Sequence, residues 1–246
     1  MTSDILTVMW KERKSMFRTG GRKSQLILSL LTPVVMAFYF PWSAGTAWLN
    51  DAISLLIAIV LPLLLVGITI PDAFAGERER HTLGTVLATR LPDRAILIGK
   101  MAMPVLVGWG STVLVLTLSL VTVNIVHWQG KVMFYRTEVY LGDLSISLAF
   151  SVLMAAAGVL FSMRSSSVQQ AQQSLMSVIL VPGMLLQLAG LLVLQSPELA
   201  NQIKGFLGAF SLAEIILVIL TILVLLDVLL LWAAISRFRR PRLLVG

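Results

Sequence analysis

Residues 52–72 read AISLLIAIVLPLLLVGITIPD and contain no charged side chain before Asp72. A helix of about 20 residues, rising ~1.5 Å per residue, crosses the roughly 30 Å hydrocarbon core of a bilayer. Hydrocarbon offers no hydrogen-bond partners, so a chain that crosses it must satisfy its backbone internally, as a helix does. The stretch therefore predicts a membrane-spanning helix.

Five other apolar runs of similar length accompany this one. Of the 246 residues, 57% are hydrophobic, and the mean hydropathy is +0.91. A soluble domain of this size could not bury so much apolar surface, because burial rises only slowly with chain length. The first run is the least regular, since Pro33 interrupts it and Pro41 ends it. We predict an all-α polytopic membrane protein, a single domain over 1–246, with spans at 25–42, 52–72, 101–126, 141–163, 173–195 and 212–235.

Basic residues collect on one side of these spans. All but three of the 19 Lys and Arg residues fall in the tail 1–24, the loop 73–100, the connection at Arg164 and the C-terminal end 237–242. The three others are Lys131, Arg136 and Lys204. Because Lys and Arg concentrate in cytoplasmic loops, both termini and the loop 73–100 are predicted to be cytoplasmic, in a multi-pass protein of the inner membrane. The same bias explains the net charge of +7 without a nucleic-acid partner.

Two shorter segments lie outside the spans. In 4–18, apolar residues from Ile5 to Phe17 share one broad face opposite the lysines, which predicts an amphipathic helix. Anchoring at the membrane interface would by itself explain such a helix. The segment 196–211 begins Ser-Pro-Glu and mixes apolar with polar residues, which predicts a short external or re-entrant helix.

Motifs of catalysis are absent from the sequence. It contains no Gly-x-x-x-x-Gly-Lys-Ser/Thr phosphate loop, no His-Glu-x-x-His zinc motif and no Gly-x-Ser-x-Gly elbow. It also has no Cys. Glu77 and His81 have the spacing of metal ligands on a helix, but no third ligand lies nearby, and the adjacent Arg78 and Arg80 would repel a cation. We predict no enzyme activity, no metal and no cofactor in this chain.

The densest polar stretch, 76–100, reads GERERHTLGTVLATRLPDRAILIGK. Thr82 is placed to cap a short helix, and Asp93 to cap a second one that runs into the third span. Such a helix could dock a soluble partner, or the stretch could be a solvated loop, and composition favours neither. Glu77 lies three residues before Arg80 and four before His81, which predicts a solvated ion pair on one helical turn.

This stretch resembles the cytoplasmic loop between the second and third helices of type-2 ABC transporter permeases. The resemblance rests on Gly76-Glu77-Arg78-Glu79-Arg80, on Thr82-Leu83-Gly84-Thr85-Val86-Leu87 and on Ile96-Leu97-Ile98-Gly99-Lys100. Trp10-Lys11-Glu12-Arg13 resembles the opening of the same family, and Ser165–Gln173 its second cytoplasmic connection. The chain departs from the pattern where Pro92 stands later than the family's proline, and where Gly84-Thr85 follows the charged cluster late.

The resemblance implies a role for two segments. The loop 76–100 would be a coupling helix that binds a separate ATPase, and 4–18 would be a connecting helix that also touches it. The implied coupling residues are Glu77, Arg78, Glu79, Arg80, Leu83, Val86, Leu87, Arg90 and Arg94. The implied connecting-helix residues are Trp10, Glu12 and Arg13.

The resemblance also implies partners. Two copies of an ABC ATPase subunit, which hold the ATP and Mg, would bind a dimer of permease chains, either homomeric or heteromeric, within the lipid bilayer. Substrates would be exported along the dimer axis, which relatives line mainly with the second and fifth helices. Candidate path residues are Thr69, Gln187, Gln195 and Asp227.

Asp227 stands near mid-bilayer, where a charge costs at least about 2.5–3.5 kcal/mol. It is either a proton or cation site, or a protonated group bonded to a neighbouring helix, for example to Asn124. Two other functions therefore remain open beside the ABC exporter. One is a proton-coupled secondary transporter that uses Asp227, and the other is a non-transporting membrane anchor for an ATPase.

Overall fold

The computed structural model describes residues 2–18, 23–82, 84 and 88–238, with side chains for all of these except 16–30, 194, 204 and 207. All regular structure in these residues is helical. In chain order the helices are α1 (Thr2–Arg18), α2 (Lys23–Ala44), the single-turn α3 (Ala47–Asn50), α4 (Leu55–Glu79), α5 (Asp93–Val126), α6 (Thr137–Ser162), α7 (Val168–Gln195), α8 (Pro197–Gly208) and α9 (Leu212–Arg237). A 3-10 turn, Ala52–Ser54, leads into α4.

Five of these helices, α4, α5, α6, α7 and α9, are long and apolar enough to cross a membrane. The protein is thus an all-α, multi-pass membrane protein, and five predicted spans coincide with apolar helices of spanning length. The predicted first span, 25–42, lies within α2, which contains Pro33 and Pro41. Among the described residues, α2 is not one of the five spanning candidates.

The helices around the predicted loop 76–100 are longer than the apolar runs. Helix α4 continues to Glu79, about two turns beyond the predicted span, and α5 begins at Asp93, about two turns before the next one. Only residues 80–92 connect them. The reason is that hydropathy marks the part of a helix that lies in hydrocarbon, whereas the helix itself persists into the polar region. Asp93 is in the first turn of α5, and the N-cap is Pro92 rather than Asp93.

Helices α4 and α6 form the centre of the bundle. They pack against each other and both pack against α5 and α7, while α9 packs on α6, and both α1 and α2 pack on α5. Helices α4 and α6 pack tightly at Gly158, where an added Cβ would collide with Ile70. Ala155 and Ala156, just before it, are fully buried. The small residues Ala155, Ala156 and Gly158 thus form a packing surface of α6.

The two ends of the bundle differ. At one end, called here the charged end, lie the last turn of α4, the first turns of α5 and the connection 163–167 between α6 and α7. At the opposite end lie α3 and the connection 127–136. The Asn124 side-chain oxygen binds this connection by accepting a hydrogen bond from the Met133 backbone N–H at 2.7 Å. The Trp48 indole donates to Tyr135 at 3.3 Å in the same region.

Helix α7 packs against the rest of the bundle only at its first turns. Its first turns contact α4 and α6 through Val168, Ala171 and Leu175. From Leu180 to Leu192 every residue is exposed. Helix α8, which confirms the short helix predicted within 196–211, contacts α7.

Candidate functional site

The last turn of α4 carries Glu77, Arg78, Glu79 and Arg80, and these successive side chains contact different parts of the protein. Glu77 binds Lys100 of α5 and Lys11 of α1. Arg78 binds the end of α6, Glu79 binds the start of α7, and Arg80 pairs with Asp72 of its own helix at 3.3 Å. This turn therefore joins five helices at the charged end.

Lys11, Glu12, Glu77 and Lys100 form a charge cluster, called here the buried charge cluster, in which all members except the exposed Lys11 are buried. The Lys100 ammonium lies 2.9 Å from Glu12 Oε1 and 2.8 Å from Glu77 Oε1, and it donates to the Ala73 carbonyl at 2.7 Å. Lys11 binds the same two carboxylates, Glu12 at 3.1 Å and Glu77. Two positive and two negative groups thus alternate around a closed ring, which links α1, α4 and α5.

Burial makes this pairing obligatory. Lys100 is 0% exposed, Glu77 5% and Glu12 6%. An ionised group in such a place is tolerated only when it is paired and hydrogen-bonded, and removing one partner of a buried pair costs about 3–5 kcal/mol. Lys100 also lies 5.4 Å from the centre of the Phe74 ring, a favourable cation–π distance.

Lys11 stands at the edge of the cluster. Its burial lowers its pKa, but the hydrogen bond to Glu77 and the charges of Glu12 and Glu77 outweigh this effect and raise the pKa above its ordinary value. Lys11 therefore stays charged throughout the physiological range. A cavity of about 30 Å³ adjoins the cluster, lined by Glu12, Ser15, Thr69, Asp72, Ala73, Glu77 and Arg80. It has room for one or two water molecules.

Helix α1 packs closely enough on α5 to reach the cluster because the contact position of α5 is a glycine, Gly99. A Cβ added at Gly99 would lie 2.6 Å from Val8 Cβ and 3.1 Å from the Ile5 carbonyl oxygen. The packed face of α1 is Ile5, Val8 and Glu12, spaced as one helical stripe. The broad apolar face predicted for 4–18 is thus divided, since Leu6 and Trp10 are exposed.

Arg78 and Glu79 hold the connection between α6 and α7. The Arg78 guanidinium donates to the Ser165 carbonyl at 2.9 Å and the Met163 carbonyl at 3.2 Å. Glu79 Oε1 accepts from the Val168 backbone N–H at 2.9 Å. A cation at a helix C-terminus and an anion at a helix N-terminus both complement the helix dipole. The connection 163–167 is therefore fastened to the end of α4 at two points.

A third fastening lies one turn earlier. The Ser162 hydroxyl accepts from the Ala75 backbone N–H at 2.8 Å and donates to the Pro71 carbonyl at 3.4 Å. Within a regular helix these two backbone groups would bond to each other. The Ser162 hydroxyl is thus inserted between the Ala75 N–H and the Pro71 carbonyl of α4. Insertion of a side chain into the backbone hydrogen bonds of a helix is a recognised cause of helix bending.

His81 ends α4. Its φ of +55° is the left-handed conformation, its N–H donates to the Arg78 carbonyl at 3.0 Å, and the Thr82 N–H donates to the Glu77 carbonyl at 2.9 Å. This pair of bonds is a Schellman C-cap, in which glycine usually takes the left-handed position. His81 therefore lies outside the helix, and the helical ligand spacing of Glu77 and His81 does not occur.

These contacts correct one prediction. Glu77 was expected to form a solvated pair with Arg80 or His81, which would have made its loss nearly neutral, and this is wrong. Glu77 is buried and its partners come from α1 and α5, whereas Arg80 pairs with Asp72. Sequence spacing favours local partners, but the buried side of the turn faces two other helices.

The remaining predicted coupling residues do not join the cluster. Arg90 and Arg94 are exposed, as are Trp10 and Arg13 of α1. Leu83, Val86 and Leu87 lie outside the described residues. The Ala88 N–H donates to the Gly84 carbonyl at 2.9 Å, the bond of one helical turn.

The predicted path residues are also separate from one another. Thr69 lines the cavity by the cluster and donates to the Leu65 carbonyl at 2.7 Å. Gln187 and Gln195 are exposed on α7. Asp227 is buried on α9, and its Oδ1 has no hydrogen-bond partner among the described residues. Asn124, the example given for a hydrogen-bond partner of Asp227, instead bonds to the backbone of Leu120 and Met133.

Sequence reasoning missed Lys11, Lys100 and Ser162 as site residues. Lys100 directly precedes the predicted third span, so it was assigned to the charge bias of the loop. Its fully buried position depends on α1 folding over it, which no local pattern indicates. Ser162 stands in an apolar run and carries no signal of its own.

No model of a known protein family matches the chain, and no curated protein sequence matches it. The interpretation of the site therefore rests on its residues and their geometry.

The packing of α1 at Gly99 can be tested with a matched pair of alanines. Gly99→Ala should lower the thermal unfolding midpoint in detergent, because overpacking against Val8 and the Ile5 carbonyl costs typically about 1–3 kcal/mol. Gly110→Ala, on the same helix with open space around it, should leave the midpoint unchanged or raise it, since Ala favours a helix over Gly. Equal effects of the two substitutions would contradict the close packing of α1.

Proposed function

We propose that this chain is the membrane-spanning permease subunit of an ABC exporter of the inner membrane. In this proposal it has six transmembrane helices, with α2 as the first, and both termini and the charged end are cytoplasmic. Two copies of a separate ABC ATPase subunit bind and hydrolyse ATP with Mg, and the permease exports the substrate. The chain itself is not an enzyme and holds no cofactor.

The observation that carries the proposal is the turn Glu77–Arg80. A subunit driven by a partner needs a rigid mechanical connection between the docking surface and the membrane helices. The connection 80–92 starts at this turn, and the turn is bonded to α1, α5, α6 and α7. A push on 80–92 would therefore move the ends of these helices together.

The exposed residues beside the turn suit a soluble partner. Arg90 and Arg94 face away from the bundle, and Trp10 and Arg13 of α1 are exposed on the neighbouring element. In the proposal, these side chains and the predicted apolar group Leu83, Val86 and Leu87 contact the ATPase. Glu12 has a different role, because its carboxylate holds α1 to Lys100.

A second permease chain is the proposed partner of α7. Its residues 180–192 have no intrachain contacts that bury them, and they include Gln187, which hydrocarbon disfavours. Pairing of two copies, or of this chain with a homologous one, would cover this face and enclose a path. Gln187, Gln195 and Thr69 are the proposed lining of that path.

One observation favours a different function. Asp227 is 7% exposed with an unpartnered oxygen, which fits a proton-coupled transporter as well as a structural carboxyl. A non-transporting anchor would share the docking surface but lack a path. An ATPase whose hydrolysis rises with a candidate solute, in complex with this chain, favours the exporter over both alternatives.

The coupling role predicts a separation of transport from assembly. Glu79→Ala removes an exposed carboxylate from the Val168 N–H, so it should cost only about 1 kcal/mol and spare expression. Transport should nevertheless fall several-fold while basal ATP hydrolysis persists, because the start of α7 is released from α4. Transport, ATPase activity and subunit ratio are measured at equal membrane abundance.

Leu87→Glu provides the complementary variant, because a charge in the proposed docking surface should reduce the co-purified ATPase itself. Glu198→Ala, an exposed change on α8, is the control and should leave all three readouts unchanged. Wild-type transport and wild-type stoichiometry in both Glu79→Ala and Leu87→Glu would contradict the proposal.

The dimer predicts crosslinks along α7. In this Cys-free chain, Met184→Cys and Leu188→Cys should each form a crosslinked dimer in native membranes, because facing chains bring the residues within reach of a short reagent. Leu114→Cys, equally exposed on α5, is the control and should stay monomeric. For a heterodimer, the crosslinked product contains a second permease chain. Crosslinking of α7 no greater than that of Leu114→Cys would contradict this interface.

A further inference from the structure

Asp143 is a buried carboxyl group that the proposed coupling does not use. It lies in α6 near the end opposite to the charged end, and it is 0% exposed. Neither of its carboxyl oxygens has a hydrogen-bond partner among the described residues. The Ser54 hydroxyl at the start of α4 faces it, is also 0% exposed, and also lacks a partner at hydrogen-bonding geometry.

The other hydroxyls of the same helix face are already engaged. Ser147 and Ser151 follow Asp143 at intervals of one turn and are fully buried. Ser147 donates to the Leu144 carbonyl at 3.1 Å, and Ser151 donates to the Ser147 carbonyl at 2.7 Å. Asp143 is therefore the unsatisfied member of this stripe of α6, and Ser54, at the start of α4, is an unsatisfied group beside it.

No positive side chain among the described residues compensates Asp143. Between their charged-end residues and the opposite end, α4 and α5 carry no titratable group, and α7 carries none at all. Toward this end, the chain carries Tyr39, Asp51, His127, Lys131, Tyr135, Arg136, Glu138, Tyr140, Glu198, Lys204 and Glu214, with Asp227 farther along α9. Glu138 pairs with Arg136 at 2.7 Å, Glu214 is in the capping box of α9, and Tyr140 packs against Tyr135. Burial raises the pKa of Tyr135, so its phenol stays neutral.

An ionised carboxylate in this position would be buried without a counter-charge, an arrangement that proteins avoid. A metal ion is a poor solution, because hard cations take six or more oxygen ligands and the pair supplies one carboxylate and one hydroxyl. A proton needs only one acceptor. Once protonated, the carboxyl can donate to the Ser54 hydroxyl, which satisfies both groups at once.

We propose that Asp143 is a proton-binding site, in which the protonated carboxyl pairs with the Ser54 hydroxyl and links the start of α4 to α6. Release of the proton requires water to reach the carboxylate, so it accompanies separation of these two helices. Protonation thus stabilises the packed arrangement, and a higher pH on this side of the membrane favours its opening.

The test is the infrared spectrum of the purified, full-length protein in detergent or lipid. Wild type should show the carbonyl band of a protonated carboxylic acid, which Asp143→Asn removes in the difference spectrum. The Asp143 part of the band should decrease reversibly as the pH is raised from about 5 to 9. Ser54→Ala should shift the frequency of this band without removing it, and Ser147→Ala, a control in the same stripe, should leave it unchanged.

Stability measurements distinguish a proton from a bound cation. The unfolding midpoint of wild type should fall as the pH rises, with a smaller slope in Asp143→Asn, and sodium, potassium, magnesium or calcium at constant pH should have no effect that depends on Asp143. A spectrum that Asp143→Asn does not change would overturn the proposal. So would a band that never titrates in folded protein, or stabilisation by one of these cations that Asp143→Asn abolishes.

Discussion

A lysine without solvent access must have its charge balanced where it lies. Lys100 is such a residue, and its environment supplies two carboxylates, one carbonyl and one aromatic ring. Two of these groups, Ala73 and Phe74, belong to α4, and so does Glu77, whereas Glu12 comes from α1. The N-terminal helix α1 therefore helps to neutralise a buried charge of the bundle, in addition to any affinity that it has for the membrane surface.

The last turn of α4, Glu77–Arg80, also contacts the other helices at the charged end. Glu77 faces inward to the lysines, while Arg78 and Glu79 satisfy the end of α6 and the start of α7. His81 then turns the chain away through a left-handed C-cap. Successive side chains of a helix lie on different faces, so a short run of acidic and basic residues can bind several neighbouring helices. This is the physical reason to propose that 80–92 transmits motion.

Much of the fold could be predicted from the sequence because membrane spans are long and locally encoded. The runs at 52–72, 101–126 and 212–235 need only hydropathy, and α1 needs only periodicity. The helix ends were less predictable, since hydropathy does not distinguish a polar helical turn from a loop. The partners of Glu77 were not predictable, because Lys11 and Lys100 are distant in the chain while Arg80 and His81 are close. Asp143 escaped notice because it stands near the edge of a predicted span, where a charge is ordinary.

The central claim is that the buried charge cluster holds α1, α4 and α5 together, and a double-mutant cycle tests it most directly. The cycle consists of Glu12→Gln, Lys100→Met and their combination, with free energies of unfolding measured in detergent. Each single change should cost several kcal/mol, and the double change much less than their sum, with an interaction energy of about 2 kcal/mol or more. The partly exposed pair Asp72 and Arg80 should give less than about 1 kcal/mol in the same cycle. Additive effects for Glu12 and Lys100, no larger than those of the partly exposed pair, would contradict the account.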